Sequence, residues 1–496
     1  MKTSKTVIAS VVLAAVSALF LNAVPARGEG KGPSAEAKRV MEFWTKARRE
    51  IAIPRDLVID ERGLGYLRKP DGSLEPYGHS VAGANRPAPN RKPVGSDSTP
   101  PAISSMDPGE GAIIGASASF SAKVIDGDSG VRSVSFVITY PDLRTQSFGA
   151  SFVGNDTWQI NFSGFSNGTW GWQVVAKDRG GNTATSTLVP FTVDTGSSAG
   201  GGGGGSSYVI ANAPWPYDGT VRTAAGRIYF EMPANAKHKG PWNAYVCSGT
   251  VATDGAPDRS VIITAAHCVY DDANKAFARN VLFIPNQAGT TGSGTDTNCN
   301  NDPMGCWVPA FGVVDANWTT RTFPDNIPWD YAYYVVNDLG AHLGTAASSD
   351  SLDSAAHSLD VSFDIAPSFN DGDPSADSPD FTYALGYSYS EDPNFMYCAE
   401  DMTLEGAYNY WLASCDLTGG SSGGPWVQPM DPGMGSGPII SVNSWGYTNS
   451  PGMAGPRLFG TSAACVFDRA RNTQFASVPT SDGEAGVTVN PDTSCP

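Results

Sequence analysis

Val261-Ile262-Ile263-Thr264-Ala265-Ala266-His267-Cys268 is an apolar run that ends on a histidine and a cysteine. A buried strand of this kind presents its last ring at the rim of a sheet or barrel, where a base is wanted. The other four histidines, His79, His238, His342 and His357, fall in stretches that read as loops. Upstream, Cys247-Ser248-Gly249-Thr250 offers a second cysteine, and a Cys247–Cys268 bridge would pin the histidine loop to the preceding strand.

Two later segments complete a pattern. Trp329-Asp330-Tyr331-Ala332 opens another apolar run, Tyr331 to Val336. A carboxylate leading a buried strand needs a partner, because an unpaired buried charge is costly. The imidazole N–H of His267 is such a partner. Gly419-Gly420-Ser421-Ser422-Gly423-Gly424-Pro425 places two serines in a glycine turn bounded by Cys415 and by Trp426-Val427, which a flexible linker would not carry. Glycines there permit close backbone approach and let two N–H groups aim at one point. In the order His, Asp, Ser, the three segments supply a base (His267), its orienting carboxylate (Asp330) and a nucleophile (Ser422, with Ser421 as the rival). That is the equipment of acyl transfer through an acyl-enzyme. The N–H groups of Gly420 and Ser422 are the expected oxyanion donors.

On these motifs, and on Ser444-Trp445-Gly446, the chain over roughly residues 225–470 resembles the chymotrypsin-like (trypsin-like) serine proteases, in their secreted bacterial and fungal branch near the glutamyl-endopeptidase-like enzymes. The resemblance implies an all-β catalytic part of two antiparallel β-barrels, peptide-bond hydrolysis with a protein or peptide as substrate, and Ser444, Trp445 and Gly446 as an edge strand that pairs with substrate backbone. Met41-Glu42-Phe43-Trp44-Thr45 is similar to the pro-region of such enzymes. The chain also departs from the animal pattern. Ser421 stands where the family has an Asp before the nucleophile, and no Ile-Val-Gly-Gly start is present, so activation by a freed N-terminus is not available. Six residues before the nucleophile stands Asp416, where a buried carboxylate would select Arg or Lys; the competing reading is a loop residue after Cys415. A histidine of the kind glutamyl-specific enzymes use is missing, since none follows His357.

Working outward, the N-terminus reads as a secretory signal over residues 1–26, with Lys2 and Lys5, an apolar stretch from Val7 to Leu21, and Val24-Pro25-Ala26 at the cleavage site. Export permits disulfides, and all eight cysteines (Cys247, Cys268, Cys299, Cys306, Cys398, Cys415, Cys465 and Cys495) lie in the C-terminal part. Neither CxxC nor HExxH spacing occurs, so no metal site and no cofactor is expected. A net charge of -17 argues against nucleic acid and against an anionic membrane surface. No later segment is apolar enough to span a bilayer, and a secreted monomer is expected.

Residues 27–96 form a pro-segment and Pro/Gly linker of net charge +5, with a helix expected from Ala35 to Ile53, where Val40, Phe43, Trp44, Ala47 and Ile51 would share a face, ended by Pro54. Residues 80–101 read as linker. Residues 97–195 alternate in period two over Ala118–Val124, Val131–Thr139, Thr157–Phe162, Gly171–Ala176 and Leu188–Val193, with turns at Asp126–Gly130 and Asp178–Asn182. They resemble a bacterial Ig-like β-sandwich, a module that could take a surface or polymer ligand. Gly196–Ser207 is a tether. Residues 208–496 carry a net charge of -20, so the +5 pro-segment is expected to dock on them electrostatically. The competing functional readings are an inactive homologue or adhesion protein working through the sandwich, and an esterase on the same triad; the absence of a Gly-x-Ser-x-Gly elbow between strand and helix, and the presence of Thr264 to Cys268, count against an α/β-hydrolase.

Overall fold

The computed structural model describes residues 33–495, apart from 61, 79–97, 116, 128, 142–144, 155, 164, 166–167, 179, 194–208, 345–350, 370–375, 377, 407 and 479–483. The signal segment, most of the Pro/Gly linker, His79 and the Gly/Ser tether lie outside these residues. What is described is mostly β.

In residues 98–193 the expected strands form: three run longer than expected, Val131–Thr139 matches, and Val189–Val193 starts one residue later. Ser117–Ile125 and Thr157–Ser163 share a four-stranded sheet with Ala102–Asp107 and Ser151–Gly154. Gly168–Asp178 pairs with both Val131–Thr139 and Val189–Val193 in a six-stranded sheet. The two sheets share one core, in which the indole of Trp172 meets Phe120 and Phe136 edge-on at 5.0 Å each. Alternation predicts these strands because one face of each is buried. The turn at Asp178 is held by its own carboxylate, which accepts the N–H groups of Gly181 (2.6 Å) and Asn182 (2.7 Å).

Sheets of ten, five and seven strands, with a two-stranded ladder of Tyr270–Asp271 and Ala276–Phe277, make up the rest. A ten-stranded sheet contains, side by side, Ala225–Pro233, Trp242–Ala252, Arg259–Thr264, Ala332–Asn337 and Phe311–Asp315. A five-stranded sheet holds Met396–Asp401, Phe381–Gly386, Pro425–Val427 and Ile439–Val442, with Ile210–Pro214 at its edge. A seven-stranded sheet carries Asn409–Leu412, Met453–Pro456 and Trp445–Tyr447. One core runs through all three. Four disulfides close it: Cys247–Cys268, Cys299–Cys306, Cys398–Cys415 and Cys465–Cys495. The first is the pair expected beside the histidine. Among the described residues no helix is long and apolar enough to cross a membrane. Disulfides without such a helix fit a secreted protein.

The pro-segment departs from its expected form. In place of one helix there are two, α1 (Ala35–Phe43) and α2 (Lys46–Ile51), broken at Trp44-Thr45, where Thr45 is extended (φ -64, ψ 160). The break rotates the faces out of phase, so Ala47 and Ile51 are exposed and Arg49 is buried. Four short strands follow that the local pattern did not announce: β1 (Ile53–Pro54), β2 (Asp56–Ile59), β3 (Gly65–Arg68) and β4 (Leu74–Pro76). β1 joins the ten-stranded sheet beside Tyr245 and Val246, and β2 to β4 extend the seven-stranded one. β2, β3 and β4 pair with one another as a local antiparallel meander, while the strands that receive β1 and β2, at Tyr245–Val246 and Trp445–Tyr447, lie more than 150 residues away, beyond any local signal. Docking is also less a matter of charge than the +5 and -20 balance implies. α1 seats Ala37, Val40, Met41 and Trp44 in an apolar cluster with Tyr229, Leu282 and Ile284, while the ion pair there, Arg48–Glu231, is long at 3.8 Å.

Candidate active site

Val261, Ile262 and Ile263 lie in a central strand, Arg259–Thr264, paired along its edges with Trp242–Ala252 and Ala332–Asn337, and all three side chains are buried in the apolar core. That placement makes the segment a continuous apolar run. The strand ends where Thr264 Oγ1 donates to the Ser248 carbonyl at 2.7 Å. A single 3-10 turn, Ala266–Cys268, then carries His267, locked by the Cys247–Cys268 bridge.

The pairing of Thr264 with Ala332 brings Asp330, two residues before the neighbouring strand, beside that turn. His267 uses both oxygens of the carboxylate. Its backbone N–H donates to Asp330 Oδ1 at 2.8 Å, and its Nδ1 lies 2.7 Å from Oδ2. Ser444 Oγ also donates to Oδ2, at 2.5 Å. Asp330 and His267 have no solvent exposure, so these three donors replace the water the carboxylate has lost. With Nδ1–H held by the carboxylate, Nε2 carries the lone pair. Nε2 is buried and has no hydrogen-bond partner.

The glycine turn packs directly on this unit. The Ser422 carbonyl accepts the Ser248 N–H at 2.7 Å. Gly423, at φ +81, leaves no room for a Cβ against Thr264 Oγ1 and the Ser248 carbonyl. Of the two serines, Ser421 is turned inward: it packs against Gly386, and its hydroxyl is buried without a partner. Ser422 is tied to the histidine turn through its backbone: its carbonyl lies 3.9 Å from the sulfur of Cys268, the residue after His267. No hydrogen bond joins Ser422 to Nε2 in this state, as is common before a substrate is bound.

The donors expected around Ser422 are held from behind. The Gly419 carbonyl accepts Tyr389 N–H at 2.8 Å, and the Gly420 carbonyl accepts Ser248 Oγ at 2.9 Å. Gly420 stands at φ +97, a conformation natural to glycine. Among the described residues the N–H groups of Gly420 and Ser422 give no hydrogen bond to any acceptor.

Two further residues shape the turn, and the motifs did not single them out. Ser248, with no exposure, accepts Tyr387 N–H at 2.8 Å on the same oxygen that donates to Gly420. Asn443 donates from Nδ2 to the carbonyls of Leu385 (2.8 Å) and Ser421 (3.0 Å), and accepts Trp426 Nε1 at 2.8 Å. Their positions, directly after Cys247 and directly before Ser444, were the available signal.

The expected specificity residues fare differently. Asp416 is exposed, its N–H on the Ala211 carbonyl, so it is a loop residue and not a buried pocket floor. Ser444, expected on the substrate strand, spends its hydroxyl on Asp330. Trp445 and Gly446 do form a strand, but its edge is already paired with β2. Pro54 and Asp56 abut Gly419. Asp56 carries a carboxyl pushed up to about 6 by burial, against the opposing pull of Arg68 and His267. The two thiol clusters with ligand spacing, Cys247/His267/Cys268 and Cys299/Asp302/Cys306, have their sulfurs committed to disulfides.

No family model matches the chain, and no curated protein matches it. Solved structures match weakly. An endo-beta-1,4-mannanase from Thermotoga petrophila is 15% identical, with a TM-score of 0.17, over 20% of this chain and 20% of its own. Fibronectin(III)-like modules of CbhA from Clostridium thermocellum are 19% identical, with a TM-score of 0.15, over 19% of this chain and 97% of theirs. Latent PorU from Porphyromonas gingivalis is 15% identical, with a TM-score of 0.17, over 34% of this chain and 19% of its own. The chain thus spans about a fifth of the length of the mannanase it matches. At TM-scores this low, none of these likenesses carries an argument about fold or activity.

Proposed function

We propose that this protein is a secreted serine endopeptidase whose catalytic part is built as two antiparallel barrels of the chymotrypsin type. His267 takes the proton of Ser422 Oγ as the hydroxyl attacks the scissile carbonyl. Asp330 holds the imidazole by Nδ1 and stabilises the imidazolium that forms. The N–H groups of Gly420 and Ser422 receive the developing oxyanion. His267 then returns the proton to the leaving amine, and water hydrolyses the acyl-enzyme by the same route.

The observation that carries this reading is the buried His267–Asp330 pair at 2.7 Å, set against a glycine turn that leaves two N–H groups unspent. The test is labelling of Ser422 by a fluorophosphonate probe under conditions that expose the site. Ser422→Ala should abolish labelling and protein-substrate cleavage, while Ser421→Ala should keep both. Undiminished labelling of the Ser422 variant would sink the assignment.

A further inference from the structure

β2 occupies the edge that the proposed function reserves for substrate. It runs parallel to Trp445–Tyr447 with Leu57 opposite Trp445, Val58 opposite Gly446 and Ile59 opposite Tyr447. The ladder continues through Thr448 N–H on the Ile59 carbonyl at 3.1 Å, and Arg68 Nη2 reaches the Tyr447 carbonyl at 2.7 Å. Leu57 has no exposure and Val58 almost none. Just upstream, Pro54 and Asp56 press on Gly419, one residue from the expected oxyanion donor, and Asp56 lies within electrostatic reach of His267.

This strap is pinned at residues before it, within it and after it in sequence. Upstream, Trp44 is buried beside Tyr229 and donates Nε1 to the Asn280 carbonyl at 2.5 Å. Within it, buried Arg55 is hydrogen-bonded to downstream Tyr77, whose hydroxyl donates in turn to Asp272, with Asp271 at 3.6 Å from Arg55. Tyr77 also packs on Phe323. An unpaired sheet edge takes an extended peptide by strand addition, with backbone hydrogen bonds giving affinity and side-chain sites giving selectivity. Here a segment of the chain itself fills that edge.

We propose that residues 53–59 are an internal occupant of the substrate groove, so that the full chain is self-blocked and becomes active when this strap leaves the Trp445–Tyr447 edge. The inference rests on the serine-endopeptidase reading. Apolar burial and a backbone ladder hold the strap, so the block persists at high salt.

The full chain is compared with Leu57→Asp, which puts a charge into a site of zero exposure, and with the milder Arg68→Ala, which removes the bond to Tyr447. A fluorophosphonate probe reads the accessible nucleophile, Ser422→Ala is the blank, and circular dichroism checks each fold. Labelling should rise about tenfold or more in Leu57→Asp, with Arg68→Ala between it and the parent. Equal rates in all three would overturn the block while leaving the nucleophile assignment standing. If Leu57→Asp does not fold, the comparison with Arg68→Ala decides alone. Labelling in none of the folded proteins would overturn the endopeptidase reading and this inference with it.

Discussion

If the strap blocks the groove, its hold depends on pH through Asp56. In the docked state burial raises this carboxyl from its ordinary 3.8 to about 6, although Arg68 at 3.9 Å and His267 both favour the charged form. The side chain is only 20% exposed, so solvent screens the effect little. The gap between 3.8 and about 6 corresponds to roughly 3 kcal/mol against docking of the charged carboxylate. Because the pKa is higher docked than free, docking takes up a proton. The penalty is absent below the free value, grows as pH rises, and is complete above about 6. Between about pH 5 and about pH 8 it should therefore weaken docking roughly tenfold. Labelling of Ser422 also depends on the ionisation of the catalytic groups, so the useful quantity is the ratio of the parent rate to that of Asp56→Asn at each pH, in which that dependence cancels. The ratio should climb about tenfold from pH 5 to pH 8. A flat ratio, or one that falls, would refute the reasoning.

Ser248→Ala should act on catalysis as well as stability. It leaves the Tyr387 N–H and the Gly420 carbonyl buried and unpaired, at about 1–3 kcal/mol each. With the Gly420 peptide released, kcat should fall by up to about 100-fold with KM nearly unchanged, measured on the Leu57→Asp background; a lowered Tm with unaltered kcat would make the hydroxyl purely structural. The sandwich closes its own core around Trp172, so excising residues 97–195 should leave the unfolding transition of the remainder in place by calorimetry. A shift of many degrees would show that the two cores depend on each other.

Much of the candidate site was legible along the chain because its determinants are local. Thr264 to Cys268 and Gly419 to Pro425 are each a turn whose geometry a few adjacent residues dictate, and Asp330 stands out as a charge at the head of an apolar strand. The sandwich strands were legible for a similar reason, since period-two alternation is the direct imprint of one buried face. The helix expected over Ala35–Ile53 came out broken because apolar spacing alone does not see an extended Thr45.

Other features depend on which distant segments meet. Asp416 sits at a suggestive spacing from Ser422, yet a count along the chain cannot say whether a loop carboxylate faces a pocket or solvent. Ser248 and Asn443 matter because they join the end of one strand to the glycine turn of another, and neither belongs to a motif of its own. The same holds for β2. Asp-Leu-Val-Ile at 56–59 is an unremarked tetrapeptide until it pairs with Trp445–Tyr447, nearly 390 residues away. The sequence by itself singled out His267, Asp330 and Ser422 as the candidate reacting groups, because the chemistry proposed for them resides in side chains and short turns. The tertiary structure alone decided what backs them and what covers them, because backbone pairing between remote strands leaves no local trace in residue identity.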